Sequence, residues 1–169
     1  ALNTIYFLID EENEEAIEAV ELLSDLLRYQ LYDINTKVTI EEEIDYLRTY
    51  IQFQRLRMTK RLQFEESFDP ELTGQKIHPL LFQPLLVNAF KYIGGAYRIQ
   101  VSMRKEGAKV CLGVSNTFNP DFLEQRKGKG IGIDNLRKRL ELLYPDKHEL
   151  RIKKDNTRFR VELCIDLSE

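Results

Sequence analysis

The sequence predicts an α+β fold in which an antiparallel helical hairpin precedes a two-layer α/β sandwich of helices on a sheet. Apolar residues recur at helical spacing through the first 60 residues. From Arg61 the pattern changes to short strand-like stretches separated by further helices. At 169 residues, 43% of them hydrophobic and 31% charged, the chain is large enough for one globular domain with a helical extension.

The hairpin is indicated by two apolar stripes with a polar turn at 33–37 between them. The first stripe, with a break near 10–13, consists of Leu2, Ile5, Ile9, Ala16, Val20, Leu23 and Leu27, and the second of Ile40, Ile44, Leu47, Ile51 and Met58. Thr39 and Glu42 have the spacing of a capping box at the start of the second helix. The remaining apolar surface of such a hairpin favours dimerisation, although the hairpin could instead fold back on the rest of the chain.

The sandwich is predicted from strand and helix signals that alternate after Arg61. The predicted elements are a strand marked by Leu62, Phe64 and Phe68, a helix over 79–92 with Pro79 in its first turn, strands over 97–104 and 109–114 around a turn at Glu106-Gly107, a helix over 133–143, and strands over 149–153 and 158–166.

Bulk properties exclude several classes of protein. The net charge of -3 shows no excess of basic residues that would favour nucleic-acid binding. No apolar stretch is long enough to cross a bilayer, so this part of the protein is expected to be soluble. Cys111 and Cys164 each lie in a predicted strand without the spacing of metal ligands. We expect both to be small core residues with reduced thiols in a cytoplasmic setting.

A glycine-rich segment precedes the second sandwich helix. Gly128, Gly130 and Gly132 alternate with other residues, which lets the backbone approach a ligand, and the following helix presents free N–H groups to it. A phosphate chain is the natural ligand, and a plain flexible connector is the alternative. The spacing does not match a Rossmann fingerprint, and the absence of Gly-Lys-Ser or Gly-Lys-Thr excludes a P-loop.

An amide lies on the otherwise apolar helix Gln83-Pro84-Leu85-Leu86-Val87-Asn88-Ala89-Phe90-Lys91-Tyr92. Burying the Asn88 carboxamide costs free energy unless it is bonded, and its oxygen could bind Mg²⁺ together with phosphate oxygens. Lys91, three residues on, could reach the same anion. The alternative is a core asparagine bonded to backbone, with Lys91 in solvent.

Together these two signals resemble the GHKL nucleotide-binding fold of histidine kinases, gyrase-type ATPases and Hsp90. Further motifs extend the resemblance to nearly the whole chain and are similar to the LytS-like branch of sensor histidine kinases. They are Leu22-Leu23-Ser24-Asp25-Leu26-Leu27-Arg28-Tyr29, Val38-Thr39-Ile40-Glu41-Glu42-Glu43, Tyr50-Ile51 with Arg57, Pro79-Leu80-Leu81-Phe82-Gln83-Pro84, and 130–140. The resemblance implies a Bergerat fold, with a mixed sheet and helices on one face.

The resemblance also implies a role for each site residue. Asn88 corresponds to the magnesium ligand, and Lys91 and Tyr92 to residues along the phosphates and sugar, with Lys91 supplying catalytic charge. Asn116 stands where the family usually places an Asp for the adenine amino group, and Thr157 corresponds to a threonine on the late strand beneath the adenine. The segment 117–129 resembles the mobile lid, with Gly128, Gly130 and Gly132 as its closing glycines.

The implied function is ATP- and Mg²⁺-dependent transfer of the γ-phosphoryl group to a histidine, and then to the Asp of a response regulator, by family resemblance of the LytTR type. Residues 1–60 would be part of the dimerisation and phosphoacceptor region, and 61–169 the catalytic domain. The resemblance places the acceptor histidine just before Ala1-Leu2-Asn3, and neither His78 nor His148 lies on the first helix. The resemblance implies a homodimer and a cytoplasmic position within a protein anchored in the inner membrane, without direct membrane contact here.

Two departures from the family pattern concern turnover. Val87 replaces the Glu that usually precedes the magnesium ligand, and Thr117 and Phe118 replace the first glycine box. A nucleotide-responsive module with little or no kinase turnover is therefore the second hypothesis. The third hypothesis is a helical interaction domain that binds no nucleotide. It does not explain the glycine segment or the presence of Asn88 on an apolar helix.

Overall fold

The computed structural model describes residues 13–31, 35–58, 61–120 and 131–168. Its helices are α1 Glu14–Gln30, α2 Ile40–Leu56, α3 Gln83–Tyr92 and α4 Ile131–Leu143. Its strands are β1 Val38–Thr39, β2 Gln63–Phe68, β3 Lys76–Ile77, β4 Arg98–Glu106, β5 Lys109–Thr117, β6 His148–Lys154 and β7 Arg158–Asp166. Within the described residues, no helix combines the length and apolar character that spanning a membrane requires.

Five strands form one mixed sheet in the order β2-β4-β5-β7-β6. β2 runs parallel to β4, and the other neighbouring strands are antiparallel. Apolar cross-strand rows such as Val101, Val114 and Val161 line the buried face, where α3 packs on β5 and α4 packs on α3. The predicted α+β sandwich with a mixed sheet and helices on one face is confirmed.

The helical hairpin is present, and its second helix shares the core of the sandwich. Thr39 caps α2 by accepting from the Glu42 N–H, and the Glu42 side chain accepts from the Thr39 N–H, so the capping box is confirmed. The strand β1 pairs with β3, and Leu47 of α2 is fully buried within the common core. α2 therefore folds back on the sandwich, and the boundary near residue 60 stays a prediction.

The first helix is described only from its cap. Asn13 caps α1 by accepting a hydrogen bond from the Ala16 N–H, which agrees with the break expected near 10–13. The remaining apolar positions before it lie outside the described residues. α1 packs against α2 but leaves Leu27 and Leu31 exposed by 42% and 85%. An apolar surface is thus present on the hairpin, whereas dimerisation through it stays a prediction.

The start of α3 differs from the prediction. The helix begins at Gln83, with Pro84 in its first turn, whereas Pro79 lies in the preceding turn. Leu80 has a left-handed φ of 62°, which cannot continue a right-handed helix. The predicted helix over 79–92 is therefore four residues too long at its start, because sequence pattern alone cannot reveal a left-handed leucine.

The two cysteines also correct the prediction. Cys111 of β5 and Cys164 of β7 are directly opposite in the sheet register and form a disulfide. Both are buried, as expected, but they lie on the sheet face opposite the helices, in a row with Arg104 and Glu149. The two strands agree with the prediction, but only their pairing in the sheet places the two sulfur atoms together.

Candidate functional site

One face of α3 carries the predicted metal ligand. Leu85, Leu86, Ala89 and Phe90 bury the opposite side of the helix, which leaves Asn88 half-buried beside the exposed Val87. The Asn88 carboxamide makes no hydrogen bond within the described part of the chain. Among the described residues the backbone bond of the alternative is absent, whereas Lys91 is exposed, as that alternative also expects. Because this amide is only half-buried and has no bond to a described residue, it is accessible to solvent and to a ligand.

The cation predicted to act with Asn88 lies one turn further along α3. Lys91 is exposed, and its Nζ atom is 5.2 Å from the centroid of the half-buried Tyr92 ring. The helix surface that carries Asn88 also carries Lys91 and Tyr92, because they follow it by three and four residues. The structure thus brings these three predicted residues together at the C-terminal half of α3.

The predicted adenine acceptor lies at the end of the central strand. Asn116 of β5 is 2% exposed and is paired in register with Ile99 and Phe159. Its Nδ2 atom donates to the Thr117 carbonyl oxygen at 3.2 Å. No bond of its Oδ1 atom is present among the described residues, so this oxygen can accept from a ligand amino group, as the resemblance requires.

The end of α3 is joined to the end of β5 by a junction that the sequence analysis does not include. The Gly94 N–H donates to the Thr117 carbonyl oxygen at 3.0 Å, and the Thr117 hydroxyl donates to the Gly94 carbonyl oxygen at 2.8 Å. A Cβ atom on Gly94 would lie 3.0 Å from the Asn119 nitrogen, and one on Gly95, at φ 61°, 3.0 Å from the Phe118 oxygen. In the sequence, the two consecutive glycines after the predicted helix are the signal that could have indicated this close junction.

Thr157 is brought to the same edge of the sheet, although not within a strand. It is exposed in the turn before β7, which begins at Arg158. Its carbonyl oxygen accepts from the Phe118 N–H at 2.9 Å, which places Thr157 beside the residues that follow Asn116. Lys154 lies with its Nζ atom 5.2 Å from the centroid of the buried Phe118 ring, so a second cation is present near this edge.

The glycine segment is described only at its end. Gly132 lies exposed in the first turn of α4, where an added Cβ would meet nothing within 4 Å. Because α4 packs against α3, this turn belongs to the same helical layer as Asn88. Gly128, Gly130 and 121–127 of the predicted lid lie outside the described residues.

The two histidines take structural positions away from α1. Both the backbone N–H and Nδ1 of His78 lie 3.0 Å from the Tyr144 hydroxyl, and burial lowers the pKa of His78. His148 begins β6, with Nδ1 2.7 Å from the Tyr144 carbonyl oxygen. Neither histidine lies on the hairpin, as expected from the sequence.

Comparison with known proteins relates this geometry to a family. The family model described as Histidine kinase matches residues 1–62. Sensor histidine kinase YesM of Bacillus subtilis is 32% identical over 163 residues, which cover 92% of this chain and 28% of that protein. The chain is thus similar to sensor histidine kinases over nearly its whole length.

Further relatives agree with this assignment. Sensor protein LytS of Staphylococcus saprophyticus is 27% identical over 183 residues, covering 98% of this chain and 31% of LytS. Sensor histidine kinases are ATP-dependent protein kinases, generally with Mg²⁺, and they partner with response regulators. The present chain spans only about three tenths of the length of these relatives.

Solved structures show the same fold. The catalytic domain of histidine kinase ThkA has a TM-score of 0.58 at 18% identity, covering 78% of this chain and 95% of that domain. Histidine kinase AdeS of Acinetobacter baumannii has a TM-score of 0.56 at 13% identity, covering 95% of this chain and 87% of that one. The fold of this chain is therefore shared with these histidine kinase structures.

Proposed function

We propose that this chain binds Mg-ATP at the edge formed by α3, the end of β5 and the glycine segment before α4, and provides the γ-phosphoryl group for transfer to a histidine. The observation that carries the proposal is the half-buried Asn88 carboxamide, which no described residue satisfies. It lies on the helix surface that also presents Lys91. Asn116 is held near the same helix end through the Thr117–Gly94 bonds.

Each side chain has a role that suits its chemistry. The Asn88 oxygen would take a place in the coordination shell of Mg²⁺, whose remaining places suit phosphate oxygens and water. Lys91 would neutralise phosphate charge, and Tyr92 would line the phosphates and sugar. The Asn116 oxygen would accept from the adenine amino group, with Thr157 beneath the base. Gly128, Gly130 and Gly132 would close the backbone over the phosphates.

Catalysis in such a site consists of positioning and charge neutralisation, because phosphoryl transfer needs little covalent chemistry from the protein. The acceptor would be a histidine elsewhere in the kinase, since neither His78 nor His148 lies on a helix of the hairpin. The phosphoryl group would then pass to the Asp of a response regulator, for which we propose the LytTR type. Dimerisation would use the hairpin, where Leu27 and Leu31 are exposed, and membrane anchoring would belong to another part of the protein.

A second candidate function is nucleotide-responsive signalling with little kinase turnover. Val87 is 39% exposed on α3, next to Asn88, and its side chain can neither accept nor donate a proton. Thr117 and Phe118, in place of a glycine box, are buried and bonded to the Gly94 turn and to Thr157. Both features are compatible with binding and reduce what the site can contribute to transfer.

Calorimetric titration with Mg-ATP tests the proposed site. We expect saturable binding by the natural chain and a loss of at least about tenfold in affinity for Asn88→Ala, roughly the effect of losing one strong polar contact. Gln52→Ala is the matched control, because it removes an exposed amide that is bonded to Glu18 on the hairpin. Absence of binding by the natural chain, or equal affinities for both variants, would contradict the proposal.

A further inference from the structure

A buried carboxyl group connects the hairpin to the segment that leads into α3. Glu43 of α2 is fully buried, and its Oε2 atom accepts from the Tyr29 hydroxyl of α1 at 2.8 Å and from the Leu80 N–H at 3.1 Å. Burial raises the pKa of Glu43, whereas the Leu80 amide, the Tyr29 hydroxyl, the Phe82 amide and the charge of Arg139 oppose that rise. Burying a carboxyl group costs free energy, so we expect the contacts of Glu43 to have a role.

The same peptide group is held from its other side by α4. Arg139 donates from Nη2 to the Pro79 carbonyl oxygen at 2.8 Å and from Nη1 to the Leu80 carbonyl oxygen at 3.3 Å. The Pro79 C=O and the Leu80 N–H belong to one peptide unit. This unit is therefore fixed between a carboxyl group on α2 and a guanidinium group on α4. We call this arrangement the 79–80 clamp, formed by Glu43, the Pro79–Leu80 peptide and Arg139.

The clamp holds a strained conformation directly before the helix of the candidate site. Leu80 has a φ of 62°, which a leucine adopts only when its surroundings enforce it. Leu81 and Phe82, which follow, are fully buried, and α3 begins at Gln83. A shift of the clamped peptide would therefore be passed to α3, because the intervening side chains have no room to absorb it.

We infer that Glu43 is a positioning residue for the nucleotide site: through the 79–80 clamp it sets the placement of α3, which carries Asn88 and Lys91, relative to α4, which follows the glycine segment. Tyr29 extends this connection to α1, so the position of the hairpin and the geometry of the site depend on each other. The inference rests on the proposed nucleotide site. A carboxyl group that only stabilised α2 would leave nucleotide affinity unchanged as long as the protein was folded.

The test compares two neighbouring carboxyl groups on one helix. Glu43→Ala removes the clamp, whereas Glu42→Ala, the matched control, removes the capping box of α2 and leaves the clamp intact. Mg-ATP affinity is measured by calorimetry at a temperature where both variants are folded by circular dichroism. We expect a loss of at least about fivefold for Glu43→Ala, the lower end of typical coupling between sites, and less than about twofold for Glu42→Ala. Natural affinity for Glu43→Ala, or equal losses, would overturn the inference.

A cycle with Arg139→Gln tests whether the two side chains act through one peptide. We expect the affinity loss of the Glu43→Met/Arg139→Gln double variant to be smaller than the two single losses combined, because either single change releases the clamp. Strict additivity would overturn this explanation. Glu43→Met keeps a similar side-chain length but has no oxygen that could accept from the Leu80 N–H. If Glu43→Ala does not fold, unchanged affinity in Glu43→Met overturns the inference, and a loss of about threefold or more supports it.

Nuclear magnetic resonance separates positioning from stability. In the nucleotide-free chain, Glu43→Ala is expected to shift the Asn88 side-chain amide signals and to speed hydrogen exchange at the Leu80 amide, and Glu42→Ala to do neither. The two proposals fail in different ways. If Asn88→Ala loses affinity but Glu43→Ala does not, only the positioning role fails. If the natural chain binds no Mg-ATP, the proposed function fails first.

Discussion

The Thr117 hydroxyl donates to the Gly94 carbonyl oxygen at 2.8 Å, and the Gly94 N–H donates to the Thr117 carbonyl oxygen at 3.0 Å. The hydroxyl oxygen of Thr117 also accepts from the Arg98 N–H at 3.0 Å. These bonds tie the residue after Asn116 to the turn after α3. Two candidate site elements that are distant in sequence are thereby held together by one buried threonine.

Replacement of Thr117 by Val tests this junction. The change keeps the shape but leaves the Gly94 carbonyl and the Arg98 N–H without this partner, so we expect the free energy of unfolding to fall by about 2 to 4 kcal/mol. Urea unfolding measures the effect. The control is Thr49→Val, which removes an exposed hydroxyl bonded to the Asp45 carbonyl and should cost at most about 0.5 kcal/mol. Similar losses for both variants would contradict a special role of Thr117.

The buried carboxyl of Glu43 predicts a pH dependence of stability. Its pKa in the folded protein is raised above the ordinary value of 4.5, mainly by burial. The unfolded chain therefore releases this proton at lower pH than the folded chain, and the contribution of Glu43 to stability declines as pH rises through its folded pKa. Glu43→Gln cannot ionise. We expect the natural chain to lose stability relative to Glu43→Gln as pH increases from about 4.5, measured by urea unfolding. A constant difference between the two proteins would count against a raised pKa.

Val87 allows the two candidate functions to be compared. Because the side chain is 39% exposed on α3, Val87→Glu should change the free energy of unfolding by no more than about 0.5 kcal/mol. If transfer is limited by the missing carboxylate, the full-length protein with Val87→Glu should form phosphohistidine from ATP faster than the natural protein. Equal rates in the presence of normal Mg-ATP binding would show that Val87 does not limit transfer.

The Cys111–Cys164 bond predicts sensitivity to reductants. It joins residues separated by 53 positions, and loop-closure entropy assigns about 4 kcal/mol to such a cross-link. Thermal unfolding with and without a phosphine reductant measures the effect, and the Cys111→Ala/Cys164→Ala variant, which has no bond to reduce, is the control. An unchanged midpoint for the natural chain would mean that its thiols are free, as the sequence alone predicts.

Local chemistry explains what could be predicted. The capping box of Thr39 and Glu42 depends on residues three apart, and the β4–β5 turn depends on Gly107 at φ 61°. Both patterns are complete within a short segment. Asn88 and Lys91 were likewise recognisable, since an amide on an apolar helix needs a partner. Their roles in nucleotide binding stay predictions.

The order of the main elements, the mixed helix-and-sheet character and the surface of α3 that carries Asn88 can be predicted from the sequence, because hydrophobic period and caps act within a few residues. The left-handed turn at Leu80, the pairing of Cys111 with Cys164 and the joining of Gly94 to Thr117 are visible only in the folded chain. Each of these depends on groups far apart in sequence. Only packing brings such groups together, and it can outweigh the local preference of a single residue.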